Sequence, residues 1–292
     1  MRNYLSDFFT YQQYNDDDAR FLLDAYDKIT KNDEARKLWE QAIEMYNKDR
    51  NCQFDVIISI ADQVASLTGI HEYTAELLIH ICLSRHLREL YEENGIDIEI
   101  YDKSMADLKY KLEECKLVYG IVGTFVAEWF ARFFKLTRFA LGRLQFEIVP
   151  LRYNYNKNGI TLTPESNVIN VHIPRSGEPL TEEACMEAYA RAKQFFKDEI
   201  STEPCPFVCH SWLLYPEMEN IVPKHTNTYK FFKSFELYDH DTDKSRGDLW
   251  RLFDSKEQNV DRLPADTSLR RAFIAHLKQG GKLGSGRGIL FI

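Results

Sequence analysis

Between Arg143 and Asp239 the chain changes period repeatedly, and the order of those changes leaves few folds open. Arg143–Pro150 alternates, with Leu144, Phe146 and Ile148 on one face and Arg143, Gln145 and Glu147 on the other. That is the two-residue period of a half-buried strand. Asn158-Gly159 follows, a pair suited to a two-residue hairpin because both central positions of that turn require positive φ. VINVHIP (168–174) reads as a buried strand, TEEACMEAYARAKQFFKDEI (181–200) as a helix and PFVCHSWLLYP (206–216) as another strand. A strand–helix–strand unit closes with a right-handed crossover, which makes 168–173 and 207–214 parallel neighbours in one sheet.

The first 140 residues carry a different pattern. Asp16–Lys31, Glu34–Asp49, Phe54–Leu67, Glu72–Asn94, Met105–Tyr119 and Thr124–Lys135 each place apolar residues at helical spacing. Phe54–Leu67 is apolar on several sides and reads as the central helix, and Gly95 stands where a helix C-terminus is often capped. The period changes at about Phe139–Gly142, so the expected fold is α+β. An all-helical N-terminal domain (1–140) precedes a domain of mixed β-sheet with flanking helices (141–292). After Asp239 the pattern predicts a polar loop over 239–248 and a helix over Ser268–Gln279 capped by Asp266 or Thr267. GGKLGSGRG (280–288) reads as a glycine-rich turn before a last strand, ILFI (289–292).

Charge separates the halves. Residues 1–140 carry 17 Lys+Arg and 25 Asp+Glu, whereas 141–292 carry 20 of each, so the net charge of −8 belongs to the first half. Duplex nucleic acid is excluded as a partner of that half, because phosphate binding needs clustered cations. An anionic ligand belongs with the second half. YGIVGTFVAEWFARFF (119–134) is the most apolar stretch, is interrupted by Glu128 and Arg132, and is too short to span a bilayer. The six cysteines form no CxxC pair and no zinc spacing. No metal site, no membrane association and a reduced, cytoplasmic setting are the expectations.

Strand alternation nominates the chemistry. Val168, Asn170 and His172 share one face of their strand, and His210 and Trp212 share a face with Cys209 and Ser211 opposite. Either histidine is a satisfied core residue or a general base, since a neutral imidazole near pH 7 is competent for that role. In the turn PRSGEPLTEE (174–183), Arg175 offers charge, Gly177 close approach and Thr181 a helix cap. Amides at a helix start attract phosphate, but Glu178, Glu182 and Glu183 place negative charge there.

VHIPRSGEPLTEEACMEAYARAKQFF, FVCHSWLLYPEM, TNTYKFFKSFEL and LPADTSLRRAF resemble the GNAT-like C-terminal domain of bacterial acyltransferase domain-containing proteins. The helical half resembles their N-acyltransferase N-terminal domain. The resemblance implies an N-acyltransferase that takes acyl-CoA as donor and an amine as acceptor, both small molecules. It also implies that Arg175, Ser176 and Gly177, a shortened form of the superfamily's phosphate loop, hold the coenzyme together with Asn227. His210 or His172 would be the base, and Ser211 or Tyr229 the acid. The competing expectation is a catalytically silent module of the same shape that binds a small ligand or peptide.

Overall fold

The structure is a computed structural model, and it describes residues 1–243 and 249–292. The chain divides into two compact units, Met1–Phe139 and Ala140–Ile292.

The first unit is built of helices: α1 (Arg2–Tyr11), α2 (Asp16–Lys31), α3 (Asp33–Lys48), α4 (Phe54–Thr68), α5 (Glu72–Glu93) and α6 (Ile98–Tyr119). A 3-10 turn at Ala127–Phe130 then leads into α7 (Ala131–Phe134). Side-chain caps begin several of them. Asn15 accepts from the Asp18 amide at 2.8 Å, and Asn32 accepts from the Glu34 and Ala35 amides. Such caps satisfy donors that a helix start leaves open. The central helix is α5, not α4, because every residue from Thr74 to Ser84 on it is buried. Its polar residues disguised this in the sequence, and burial is tolerated because most of their polar atoms find partners, His80 Nε2 being an exception. His80 Nδ1 donates to the Glu76 carbonyl at 2.6 Å, and Ser84 Oγ donates to the Ile81 carbonyl at 2.7 Å. Among the described residues no helix is long and apolar enough to cross a membrane.

The second unit is a sheet with helices. Its strands are β1 (Arg138–Leu141), β2 (Leu144–Pro150), β3 (Tyr155–Lys157), β4 (Ile160–Leu162), β5 (Asn167–His172), β6 (Pro206–Ser211), β7 (Glu236–Asp243) and β8 (Leu283–Phe291). The helices are α8 (Glu182–Phe195), α9 (Met218–Ile221), α10 (Asn227–Ser234), α11 (Leu249–Phe253) and α12 (Ser268–Lys278). Among the described residues six strands form one sheet in the order β1-β2-β5-β6-β8-β7, while β3 and β4 pair only with each other. The crossover pair β5–β6 is parallel, and β2–β5, β6–β8 and β7–β8 are antiparallel. In the hairpin, Asn158 and Gly159 have φ of 53° and 78°, the left-handed values its turn requires.

Each face of the sheet has its own cover. On the back, Tyr189 of α8 packs against Phe146 and Phe207, at ring separations of 6.2 and 5.0 Å. On the front, Leu151, Tyr155 and Leu162 of the hairpin excursion cluster with Val168, Val208 and Ile289. The hairpin therefore stands on the sheet rather than in it, and β2 pairs directly with β5.

Three further expectations are corrected. The strand from Pro206 ends at Ser211, because Trp212–Leu214 turns into a 3-10 helix, so Trp212 does not continue the alternation. Asp239–Asp243 is no loop but the end of β7, held by β8; residues 244–248 of that reading lie outside the described residues. The stretch from Leu283 is a strand rather than a turn. Its glycines answer to close packing, not to turning. A Cβ at Gly286 would strike the Leu214 carbonyl, and one at Gly288 would come within 2.7 Å of Phe235 Cβ.

Two stability measurements follow. Gly286→Ala is expected to cost about 3 kcal/mol, because the obstacle is backbone; a melt at wild-type temperature would contradict the packing account. In the first unit, burial and the facing Asp62 carboxylate raise Glu76 to about 8 from 4.5. A carboxyl raised in the folded state contributes fully below about pH 4.5 and loses stability as pH rises toward 8. Glu76→Gln should match wild type near pH 4 and exceed it above pH 8 by roughly 1–3 kcal/mol, as read by denaturant unfolding at both pH values.

Candidate active site

The parallel ladder between β5 and β6 pairs Ile169 with Phe207, Asn170 with Val208 and Val171 with Cys209. His172 and Ser211 end the two strands, so His172 and His210 lie past the last pair. Residues opposite one another in neighbouring strands share a face. Glu147 lies opposite Asn170, and His210 opposite Arg287. The front face above the hairpin cluster is therefore polar, carrying Glu147, Asn170, His172, His210, Ser285 and Arg287.

His172 is the better-anchored imidazole. Its Nε2 lies 2.7 Å from Glu147 Oε1, which also accepts from Asn170 Nδ2 at 3.2 Å. The Glu147 side chain is 4% exposed and that of His172 18%. Asn170 Nδ2 also lies 3.1 Å from Nε2; with Glu147 ionised and accepting, Nε2 carries the proton and the ring's lone pair is on Nδ1. His210, on β6, is exposed, with Nε2 2.8 Å from Ser285 Oγ. Beside it Arg287 donates to Asp239 at 2.9 Å and to Asp241 at 2.6 Å.

The other residues singled out in the sequence stand elsewhere. Ser211 Oγ accepts from the Leu213 amide at 3.2 Å and caps the 3-10 turn. Tyr229, on α10, donates its hydroxyl proton to Glu219 at 2.7 Å, and that bond raises the phenol above its ordinary range. Arg175 is tied to Asp254, with Nη2 2.8 Å from Oδ2. Ser176 Oγ accepts from the Glu178 amide at 3.3 Å, and Gly177 takes a φ of 78° with open space beside it. Thr181 caps α8 as expected. Arg143 braces the turn, donating to the Glu178 and Pro174 carbonyls at 2.9 and 3.0 Å.

Asn227 opens α10 and lines a slot of about 330 Å³ between α8 and α10. Leu180, Cys185, Tyr189, Phe231 and Leu290 make its walls mostly apolar, and Lys230 and Lys233 add charge. Burial pushes the Cys185 thiol up to about 11, so it stays protonated and is no nucleophile near neutrality. Among the described residues no group of three His, Cys, Asp or Glu side chains is gathered to hold a metal ion.

Residues 3–136 match the family model of the N-acyltransferase N-terminal domain, and residues 138–290 match that of the GNAT-like C-terminal domain. The chain belongs to the GNAT-like acyltransferases. Solved structures repeat its fold. One is an acyltransferase in complex with decanoyl-CoA and teicoplanin, 20% identical, with a TM-score of 0.75 over 98% of this chain and 87% of that one. Another is an acyltransferase in complex with CoA and 10C-teicoplanin, 22% identical, with a TM-score of 0.74 over the same shares. A third is an acyltransferase mutant in complex with octanoyl-CoA, at 20% and 0.75, again over 98% and 87%. No curated protein matches the chain.

Glu147 was visible in the sequence only as one polar residue of an alternating strand. The register that brings it to His172 is a long-range pairing, which local pattern does not encode. The two histidines should respond differently to truncation. His172→Ala takes the imidazole from a buried carboxylate and should cost roughly 1–3 kcal/mol. His210→Ala alters an exposed contact and should stay within about 0.5 kcal/mol of wild type. Equal losses in thermal unfolding would contradict this placement.

Proposed function

We propose that this protein is an N-acyltransferase that moves the acyl group of an acyl-CoA onto the amine of an acceptor. The observation that carries the reading is the end of the β5–β6 ladder. Past Val171 and Cys209 two parallel strands run on without a paired register, with an imidazole on each and a buried carboxylate behind one of them. In this reading the amides of a pantetheine arm pair with main-chain groups of the two strands past that ladder. The slot between α8 and α10 gives the donor an apolar bed, with Asn227 at the start of α10 and Lys230 and Lys233, each beside a glutamate, on its wall. The ligands of the solved structures of this fold, acyl-CoA and teicoplanin, support the same donor and an acceptor of the amine class.

In this reading the amine nitrogen attacks the thioester carbonyl, and a C–N bond forms while the C–S bond breaks. His172 Nδ1 takes the proton released by the nitrogen, and Glu147 stabilises the imidazolium that results. His210, on the opposite lip, donates toward the carbonyl oxygen as negative charge develops there. The leaving thiolate takes up the proton that His172 received, so His172 ends the cycle neutral and protons balance. In this reading Tyr229 takes no part, since its hydroxyl proton goes to Glu219, and Ser211 takes none because it stands on the face opposite His210.

The test is thiol release from acetyl-, octanoyl- and decanoyl-CoA in the presence of a panel of amines. Wild type should release thiol in an amine-dependent way. His172→Ala, once shown to be folded, should lose about 100- to 10,000-fold, the usual share of a general base. Normal turnover in that variant would overturn His172 as the base. Donor binding with no turnover toward any amine would favour the silent module instead.

A further inference from the structure

The first unit holds a cavity that the proposed reaction does not use. It lies between α2 and α3 and has a volume of about 430 Å³, within the range of small-molecule sites. Positions 36, 40, 43, 44 and 47 of α3 recur every three or four residues, so one stripe of that helix lines it. Tyr26 and Ile29 from α2, with Trp39 and Ile43 from α3, give it an apolar body. Two of these side chains carry donors without acceptors. Trp39 is 2% exposed, and its indole N–H makes no hydrogen bond among the described residues. The thiol of Cys82 stands close by, but sulfur accepts only weakly. A buried indole N–H usually finds a partner, and leaving it bare costs stability. The Tyr26 phenol lies near the same thiol and pairs with no acceptor among the described residues. Burial pushes that phenol up to about 12, so it keeps its proton and can donate.

The charged side chains around the cavity are already matched. Arg36 is 2.8 Å from Asp33 and 3.8 Å from Glu40, and Glu44 is 2.7 Å from Lys48. An ionised head would therefore meet no unmatched side-chain charge there. The acidic excess of the first 140 residues further opposes an anion. An ammonium has no lone pair to offer the two donors. We propose that this cavity is a binding site for an uncharged molecule with an apolar body and a carbonyl oxygen, which accepts from the Trp39 indole and the Tyr26 hydroxyl. A carbonyl has two lone pairs, so one oxygen can satisfy both donors. The site stands apart from the acyl-CoA reading, since all of its residues belong to the first unit.

The experiment follows the indole N–H signals of the full chain by proton–nitrogen NMR during titration with octanamide, octanoate and octylamine, which share a chain length and differ in the head. The chain has four Trp, and Trp39→Phe assigns the signal of Trp39. Octanamide should move that signal saturably and leave the other indole signals in place. Octanoate and octylamine should bind about tenfold more weakly, because a charged head is desolvated without a new partner. Tyr26→Phe removes one of the two donors and should weaken octanamide about fivefold. Its melting temperature should match wild type, because the lost hydroxyl pairs with no group of the protein. Trp39→Phe should weaken octanamide about tenfold. If Trp39→Phe does not fold, the signal is assigned through its shift in Tyr26→Phe, and that variant decides the affinity. Octanamide that leaves the Trp39 signal unmoved, or that binds Tyr26→Phe as tightly as wild type, overturns the site, and the two donors then meet water only. Octanoate or octylamine binding as tightly as octanamide overturns the uncharged class.

Discussion

The structure of the second unit turns on a short parallel ladder. Parallel strands are normally covered on both faces, and β5 and β6 follow that rule only for part of their length. Behind them Tyr189 wedges between Phe146 and Phe207, which are 6.0 Å apart. In front, the hairpin cluster seals Val168 and Val208. Above that seal the front face turns polar at Asn170 and His172, and the pairing stops at Val171 and Cys209. The apolar covers hold the lower strands rigid, and the polar strand ends are where chemistry can take place. A fully paired, fully apolar ladder would be more stable and would have no site.

Strand β8 serves two purposes through its alternation. One side carries Gly284, Gly286 and Gly288, which let Asp241, Leu214 and Phe235 come close. The other side carries Ser285, Arg287 and Ile289, which meet His210, the Asp239–Asp241 pair and the hairpin cluster. Glycine in a strand usually weakens it. Here the absence of Cβ atoms on one side allows the 3-10 turn at Trp212–Leu214 to lie on the strand, and that turn ends β6 just after His210.

Much of this was legible from local sequence. The Asn158-Gly159 turn, the parallel relation of the crossover strands and the Thr181 cap all follow from short-range chemistry, and the structure has each of them. The face shared by Asn170 and His172 was legible for the same reason. What local pattern hid was long-range. The five glycines between Gly280 and Gly288 suggest a turn by composition, although Gly284, Gly286 and Gly288 recur with the period of a strand. The polar run Asp239–Asp243 suggests a loop, although an edge strand facing solvent can be polar. Glu147 and Asp254 gain their meaning from residues 25 and 79 positions away. Ser211 looked chemical on a strand, and the cap it makes became evident only once the strand was seen to end there.

In the proposed reaction the thioester sits between the ends of β5 and β6 that follow the Val171–Cys209 pair. A crystal structure of the protein with a non-hydrolysable acyl-CoA analogue tests it most directly. The thioester carbon is expected on the front face between His172 and His210, with the pantetheine passing between the strand ends and reacting atoms about 3–3.5 Å from the place an attacking amine would occupy. An analogue bound elsewhere, with the gap past Val171 and Cys209 empty and both imidazoles out of reach, would contradict it.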